Sequence, residues 1–208
     1  MTEGNVFINC PFDEQYRALL RPLLFTLCYL NLTPRIASER FNSYENRMDK
    51  ICELINVSDH SIHDISRCKS TQADEYFRMN MPFEFGIDYG YVRFNQLDRK
   101  MLVMEGERFD FQKTISDASG VDVKCHNNEP EDVIRCIRNW VIEADIVVSA
   151  DSPTRIWYYF TDFTSSFYDQ RLSEGFTNED LNDMPTPEYI RAIQDWLGAF
   201  RSDANRPE

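Results

Sequence analysis

Apolar residues along this chain follow two alternating rhythms. Residues 5–10 form a short apolar run stopped by Pro11, which predicts a buried first strand. Tyr16, Leu19, Leu20, Leu23, Leu24, Leu27 and Leu30 then recur at three-and-four spacing and predict one face of a helix. Pro22 sits inside that pattern, where its missing N–H and its ring predict a kink or a restart. Residues 33–37 read as a second strand. Met48, Ile51, Leu54 and Ile55 give a second helix, and residues 57–65 a third strand. A polar loop over 66–78 leads to Asn80-Met81-Pro82-Phe83-Glu84. A capping Asn, an early Pro and an acid behind them predict a helix start there, with the helix running to about Tyr91. Residues 101–104 and 121–125 read as two more strands. Val133, Ile134, Ile137, Trp140, Val141 and Ala144 mark a long amphipathic helix.

Alternation of strand and helix implies an α/β fold: a parallel sheet flanked by helices, with right-handed crossovers. From about residue 152 the pattern becomes purely helical. Ile156, Phe160, Phe163 and Phe167 keep helical spacing, as do Tyr189, Ile190, Ile193, Trp196, Leu197 and Phe200, with Thr186-Pro187 as cap and first position of the last helix. The chain therefore divides into an α/β domain over 1–150 and an acidic helical extension over 151–208. From Asp162 to Glu208 there are ten acids and four basic residues, about half of the excess charge. The extension is expected to pack on the sheet domain or on another subunit, with a loose tail from Ser202.

Composition narrows the partners. With 42% hydrophobic and 27% charged residues the 208-residue chain can build a packed core. Thirty-five acidic against 22 basic side chains give a formal charge of -13. A field of that sign repels phosphate backbones and anionic lipid, which argues against nucleic-acid and membrane partners while leaving room for a local basic pocket. No apolar run approaches the roughly 20 residues that span a bilayer, and residues 1–8 lack a signal-peptide pattern, so a cytoplasmic protein is expected. The six cysteines, at 10, 28, 52, 68, 125 and 136, show no C-x-x-C spacing. They read as reduced, mostly buried thiols rather than a zinc cage or disulfide framework.

Ligands of an open parallel sheet bind beyond the carboxyl ends of its strands, so the residues just after each strand are the candidates. After the first strand come Asn9, Cys10, Pro11, Phe12 and Asp13; after the second, Ser38 and Glu39; after the third, Asp64, Ser66 and Arg67. Neither G-x-G-x-x-G nor G-x-x-x-x-G-K-[ST] occurs, and seven glycines leave little for a phosphate cradle. Glu84 heads the next helix, where an acid gains from the helix dipole. It also stands among Met81, Phe83 and Phe85, where a carboxyl is poised to stay partly protonated or to face a developing cation. Gly86 and Gly90 share one helix face and allow close approach. Plainer roles stand beside these: Asn9 tying its loop to the sheet, Asp64 capping a turn, Phe12 in the core, Arg67 in solvent. His60 and His63, three apart on a strand, point to opposite faces and predict no metal site. Gln112, Lys113 and Ser116 lie on a segment placed to cover the site, and no serine has a G-x-S-x-G elbow.

The string N-x-P-F-E-x-G-x-x-x-G, from Asn80 to Gly90, resembles the catalytic-glutamate helix of nucleoside deoxyribosyltransferases and the related TIR-type NAD-cleaving domains. Residues 7–13, 61–67, 80–84 and 111–117 together resemble a family of bacterial TIR-like proteins within the TIR / nucleoside deoxyribosyltransferase-like superfamily. The likeness covers roughly residues 5–126; the usual TIR serine-rich opening loop is missing, and the acidic C-terminal helices have no counterpart. It implies a flavodoxin-like sheet and cleavage of a nucleotide's N-glycosidic bond, that of NAD first, with NAD as substrate and no cofactor. It also implies a place in bacterial antiphage defence, as a homo-oligomer or with a defence-system partner. By that resemblance Glu84 faces the cationic ribose centre, and Asp64 and Ser66 hold ribose hydroxyls. Asn9 and the loop of Cys10 and Asp13 then hold phosphate or base, Phe12 stacks on a ring, Arg67 pairs with a pyrophosphate, and Asn80, at the start of the glutamate helix, also binds substrate.

Two readings follow. One is an enzyme that hydrolyses the nucleotide or turns it into an ADP-ribose-type signal. The other is a non-catalytic nucleotide sensor or protein-interaction adaptor on the same fold. They differ in whether Glu84 faces the Asn9 and Asp64 loops or bulk solvent.

Overall fold

In the computed structural model, residues 4–66, 79–118 and 120–204 are described. Five strands, β1 (Asn5–Asn9), β2 (Thr33–Ile36), β3 (His60–Asp64), β4 (Lys100–Glu105) and β5 (Val123–Cys125), form one sheet in the order β2-β1-β3-β4-β5. Every pairing is parallel. This is the flavodoxin-like order, and strand direction of travel reverses between β1 and β3, the point where such sheets open a crevice.

The alternating side chains of the strands divide the core. Val6, Ile8, Ile62, Leu102 and Met104 face α1 (Arg17–Tyr29) and α4 (Pro130–Glu143). On the opposite face Phe7 packs against Ile51, Leu54 and Ile55 of α2 (Arg47–Asn56), and Val103 against Met81 and Phe85 of α3 (Asn80–Asn95). Helix α1 runs unbroken through Pro22, so no restart occurs there. Pro130 opens α4, with Glu131 and Asp132 in its first turn against the positive end of the dipole.

Three expectations shift at element ends. The third strand begins at His60 rather than 57, because Val57 closes α2 and the Ser58 hydroxyl donates to the Leu54 carbonyl. The first position of α3 is Asn80 itself, exposed, with Met79 at the cap and no side-chain cap bond. Glu84 is therefore in the second turn, beyond the free N–H groups that would reward an acid. The helix continues past Tyr91 to Asn95 and stops at Gln96, whose φ of 53° is left-handed. Its last turn carries Phe94 into solvent, so no apolar periodicity signalled it.

The extension consists of α5 (Pro153–Ser173), α6 (Asn178–Asn182) and α7 (Thr186–Ala204). Ser152 caps α5, and Thr177 with Asp180 forms a capping box on α6. These helices lie on α1 and α4 as a further layer of the same core. Phe25 of α1 meets Phe160, Phe163 and Trp196 with ring centroids 5.5, 5.6 and 6.0 Å away. Arg21 donates to the Tyr168 hydroxyl at 2.6 Å and to the Leu181 carbonyl at 2.5 Å. Of the two placements expected for the extension, the sheet domain itself is the one observed. Among the described residues no helix is long and apolar enough to cross a membrane.

Candidate functional site

At the reversal point, β1 ends in Asn9, with Cys10 directly after it, and β3 in Asp64, while α2 and α3 bring up their first turns. From α3 comes Glu84, 3% exposed. From α2 comes Arg47, its guanidinium 3.7 Å from the Glu84 carboxylate and its side chain 55% exposed. The same guanidinium lies 5.6 Å from the centre of the Phe12 ring, which is 40% exposed. Burial pushes the Glu84 carboxyl above its ordinary value, and the charge of Arg47 opposes this only in part. Cys10, wholly buried beneath, has its thiol pushed well up by burial and then by the charges of Asp64, Glu84 and Asp13. Those three carboxylates therefore lie within electrostatic range of the end of β1.

Two buried networks fix the walls. In the first, the Asn9 amide nitrogen donates to the Met81 carbonyl at 2.8 Å and meets His63 Nδ1 at 3.1 Å. Since Nδ1 accepts, the His63 proton sits on Nε2, which meets Asp88 at 3.0 Å. Arg99 donates to the other Asp88 oxygen at 2.5 Å. Burial would raise the Asp88 carboxyl, but the bond from His63 and the charge of Arg99 leave it below the usual range. Asn9 Oδ1 is buried with no hydrogen-bond partner among the described residues.

In the second network Asp64, fully buried, accepts from Tyr16 Oη at 2.5 Å, from the Ser66 backbone N–H at 2.9 Å, from the Ser66 hydroxyl, and from His126 Nε2 at 3.0 Å. Burial alone would raise this carboxyl; the His126, Ser66 and Tyr16 bonds outweigh it and hold the group below its ordinary value. Ser66, His126 and Asp64 have the residue types of a hydrolytic triad but not its wiring. Both the Ser66 hydroxyl and Asp64 approach Nε2, while Nδ1 accepts from the Asn128 N–H at 3.1 Å. His126 thus carries its proton toward Ser66 and cannot take one from it.

Of the residues singled out from sequence, Asn9, Cys10, Phe12, Asp13, Asp64, Ser66 and Glu84 gather at this end of the sheet. Asp13 also caps the 3₁₀ turn Glu14–Tyr16. Asn80 is exposed at the start of α3, and Arg67 lies outside the described residues. Glu39 turns back on Arg35 and the Ile36 N–H, and the Ser38 hydroxyl lies 2.9 Å from that of Thr186, so both close the end of β2. His60 and His63 face opposite sides, against Trp140 and Phe85 respectively. Among the described residues no three His, Cys, Asp or Glu side chains gather to hold a metal ion.

Sequence reasoning missed Arg47, Asp88, Tyr16, Arg99 and His126. Two left a usable signal: His126 directly follows a strand, and Asp88 lies four residues after Glu84 on one helix face. Arg47 begins a helix, an end that parallel topology turns toward the crevice.

Chemically, the buried carboxylates Asp64, Asp88 and Glu84 are not equivalent. Asp64 and Asp88 are saturated by their own protein partners. Glu84 accepts no hydrogen bond from the described residues and has only the distant Arg47, so its lone pairs are the ones left for a ligand. Compared with protein-family models and with curated proteins, the chain has no match.

Proposed function

We propose that this chain cleaves the N-glycosidic bond of a nucleotide, NAD first, with Glu84 as the carboxylate that meets the cationic ribose carbon. One observation carries the reading: a desolvated, uncommitted carboxylate at the reversal point of a parallel sheet, facing the loop that follows β1. In NAD the ring nitrogen already bears positive charge. When the C–N bond breaks, its electron pair neutralises that ring, so nicotinamide leaves without a general acid. Charge appears instead on the ribose, where a carboxylate a few ångströms away stabilises it or attacks it, before water or another hydroxyl takes its place.

The surrounding groups have matching parts. Arg47, half in solvent beside Glu84, is placed to pair with a pyrophosphate, the part that the resemblance gave to Arg67. Phe12 offers a ring face beneath that guanidinium. Asp64 and Asn9, committed within the protein, position the strand ends and the start of α3 rather than spend all their bonds on substrate. The defence setting and assembly as a homo-oligomer or with a defence-system partner rest on the resemblance alone, and the cytoplasmic location on the sequence pattern.

Incubation of the purified protein with NAD, with nicotinamide resolved by chromatography beside a Glu84→Gln control, tests the reading. Release by the wild type and not by the variant is expected, and the co-product separates hydrolysis from synthesis of a signal. If NAD and a panel of nucleosides and nucleotides all stay intact at high protein concentration, the chain is a nucleotide sensor or adaptor instead.

A further inference from the structure

A cavity of about 450 Å³ opens along the free edge of β5, between α4 and the segment that follows β4. Its size suits a nucleotide-sized ligand. Its lining includes the cations Arg108, Lys124 and Arg135 against the acids Asp122 and Glu105, a positive balance in a chain of formal charge -13, together with Phe109 and the amides Gln112 and Asn139. Arg108 is exposed and has no ion-pair partner among the described residues. Lys124 pairs with Glu143 at 2.7 Å and Arg135 with Glu131 and Asp132 at 3.2 and 3.3 Å. These are surface pairs, screened by water and readily exchanged for a phosphate.

Phe109 is the unusual member. Its φ of 64° is left-handed, a conformation that bulky side chains rarely adopt, and its ring is 62% exposed. The strain is imposed from below. The buried Glu105 carboxylate accepts from the backbone N–H groups of Phe109, Asp110 and Phe111 at 2.6, 3.0 and 3.2 Å. A glycine would satisfy that backbone without strain, yet an aromatic ring is held out there beside an arginine with no ion-pair partner among the described residues.

We propose that this cavity binds a nucleoside phosphate, its base on the Phe109 ring and its phosphate on Arg108 with Lys124 and Arg135. The amides of Gln112 and Asn139 supply the donors and acceptors that a base edge requires. Neither Glu84 nor Arg47 lines this cavity.

The test is equilibrium titration with AMP, in the wild type and in Arg108→Glu, Phe109→Gly and Arg47→Glu variants, with melting temperatures recorded for each. AMP should bind the wild type and Arg47→Glu alike, and bind Arg108→Glu and Phe109→Gly about tenfold or more weakly, as expected for loss of a base–ring stack. Phe109→Gly should melt no lower than the wild type, because glycine relieves the left-handed strain. Absence of saturable binding below about 1 mM, a range already weak for a built site, overturns the proposal. So does binding lost in Arg47→Glu but kept in Arg108→Glu and Phe109→Gly. The readout is binding rather than turnover, so either result leaves the reading of Glu84 to its own experiment.

Discussion

Glu84 and Arg47 stand 3.7 Å apart, the carboxylate almost fully buried and the guanidinium more than half exposed. A hydrated arginine at that distance offsets little of what it takes to strip water from a carboxylate. Glu84 is thus held in a site that resists its charge, an arrangement that stability alone would remove and that function can retain.

The first prediction concerns that cost. The Glu84 carboxyl is raised in the folded state, so the folded protein binds this proton more readily than the unfolded chain does. Stability then falls as pH rises from the ordinary Glu value through the raised one, and the deficit is complete above it. Replacing Glu84 with Gln should therefore raise the melting temperature at neutral pH. The gain should vanish below about pH 4, where the unfolded carboxyl is itself protonated. Thermal melts at several pH values check this; a variant less stable than wild type at neutral pH would show that the charge is structurally required.

A second prediction uses the other partner. If turnover needs ionised Glu84, the acid limb of kcat/KM lies above the ordinary Glu range. Arg47 lowers the Glu84 carboxyl, so Arg47→Gln should move the limb to higher pH as well as weaken substrate binding. A pH–rate profile with an unmoved limb would separate Glu84 from the titration.

Asp64 should behave in the opposite sense. Its carboxyl is held below the ordinary value, so its contribution to stability is fully present above the unfolded pKa of about 3.9 and is lost as pH falls through the folded one. At pH 7 Asp64→Asn should lose about 2–3 kcal/mol, as for other hydrogen-bonded buried charges. The gap to wild type should narrow under acid. Denaturant titrations at pH 7 and below pH 4 measure both, and an equal gap at the two would contradict the assignment.

Asn9 gives a prediction about positioning. Its amide joins β1 to the Met81 carbonyl and to His63, so Asn9→Leu leaves two buried acceptors without a donor. The expected loss is about 1–3 kcal/mol for each group. Since Met81 lies one turn before Glu84, kcat should fall with KM little changed. Stability within 0.5 kcal/mol of wild type, the range of a neutral surface change, would rule this tie out.

Much of this fold is legible in the sequence, because β1 and α1 each bury a continuous apolar pattern and the alternation of strand and helix dictates parallel crossovers. What escapes detection is whatever is set by backbone closure rather than by burial. The exposed last turn of α3 and the three-residue retreat over Val57, Ser58 and Asp59 are of that kind. The five-residue α6 is legible in retrospect from its Thr177–Asp180 box. For the site, the rule that ligands meet strand ends finds Asn9, Cys10, Asp64 and Glu84, since topology alone brings them together. It does not find the division of labour among the carboxylates. That depends on Tyr16, His126 and Arg99, which come from distant elements and meet only in the folded chain.

The most direct test of the central claim is a single-turnover reaction with protein in excess over NAD, following nicotinamide in wild type and Glu84→Gln. The account predicts release by the wild type and a loss of about 10²-fold or more in the variant, the scale of removing a group that meets transition-state charge. Equal rates in the two proteins would contradict it and move the chemistry away from Glu84.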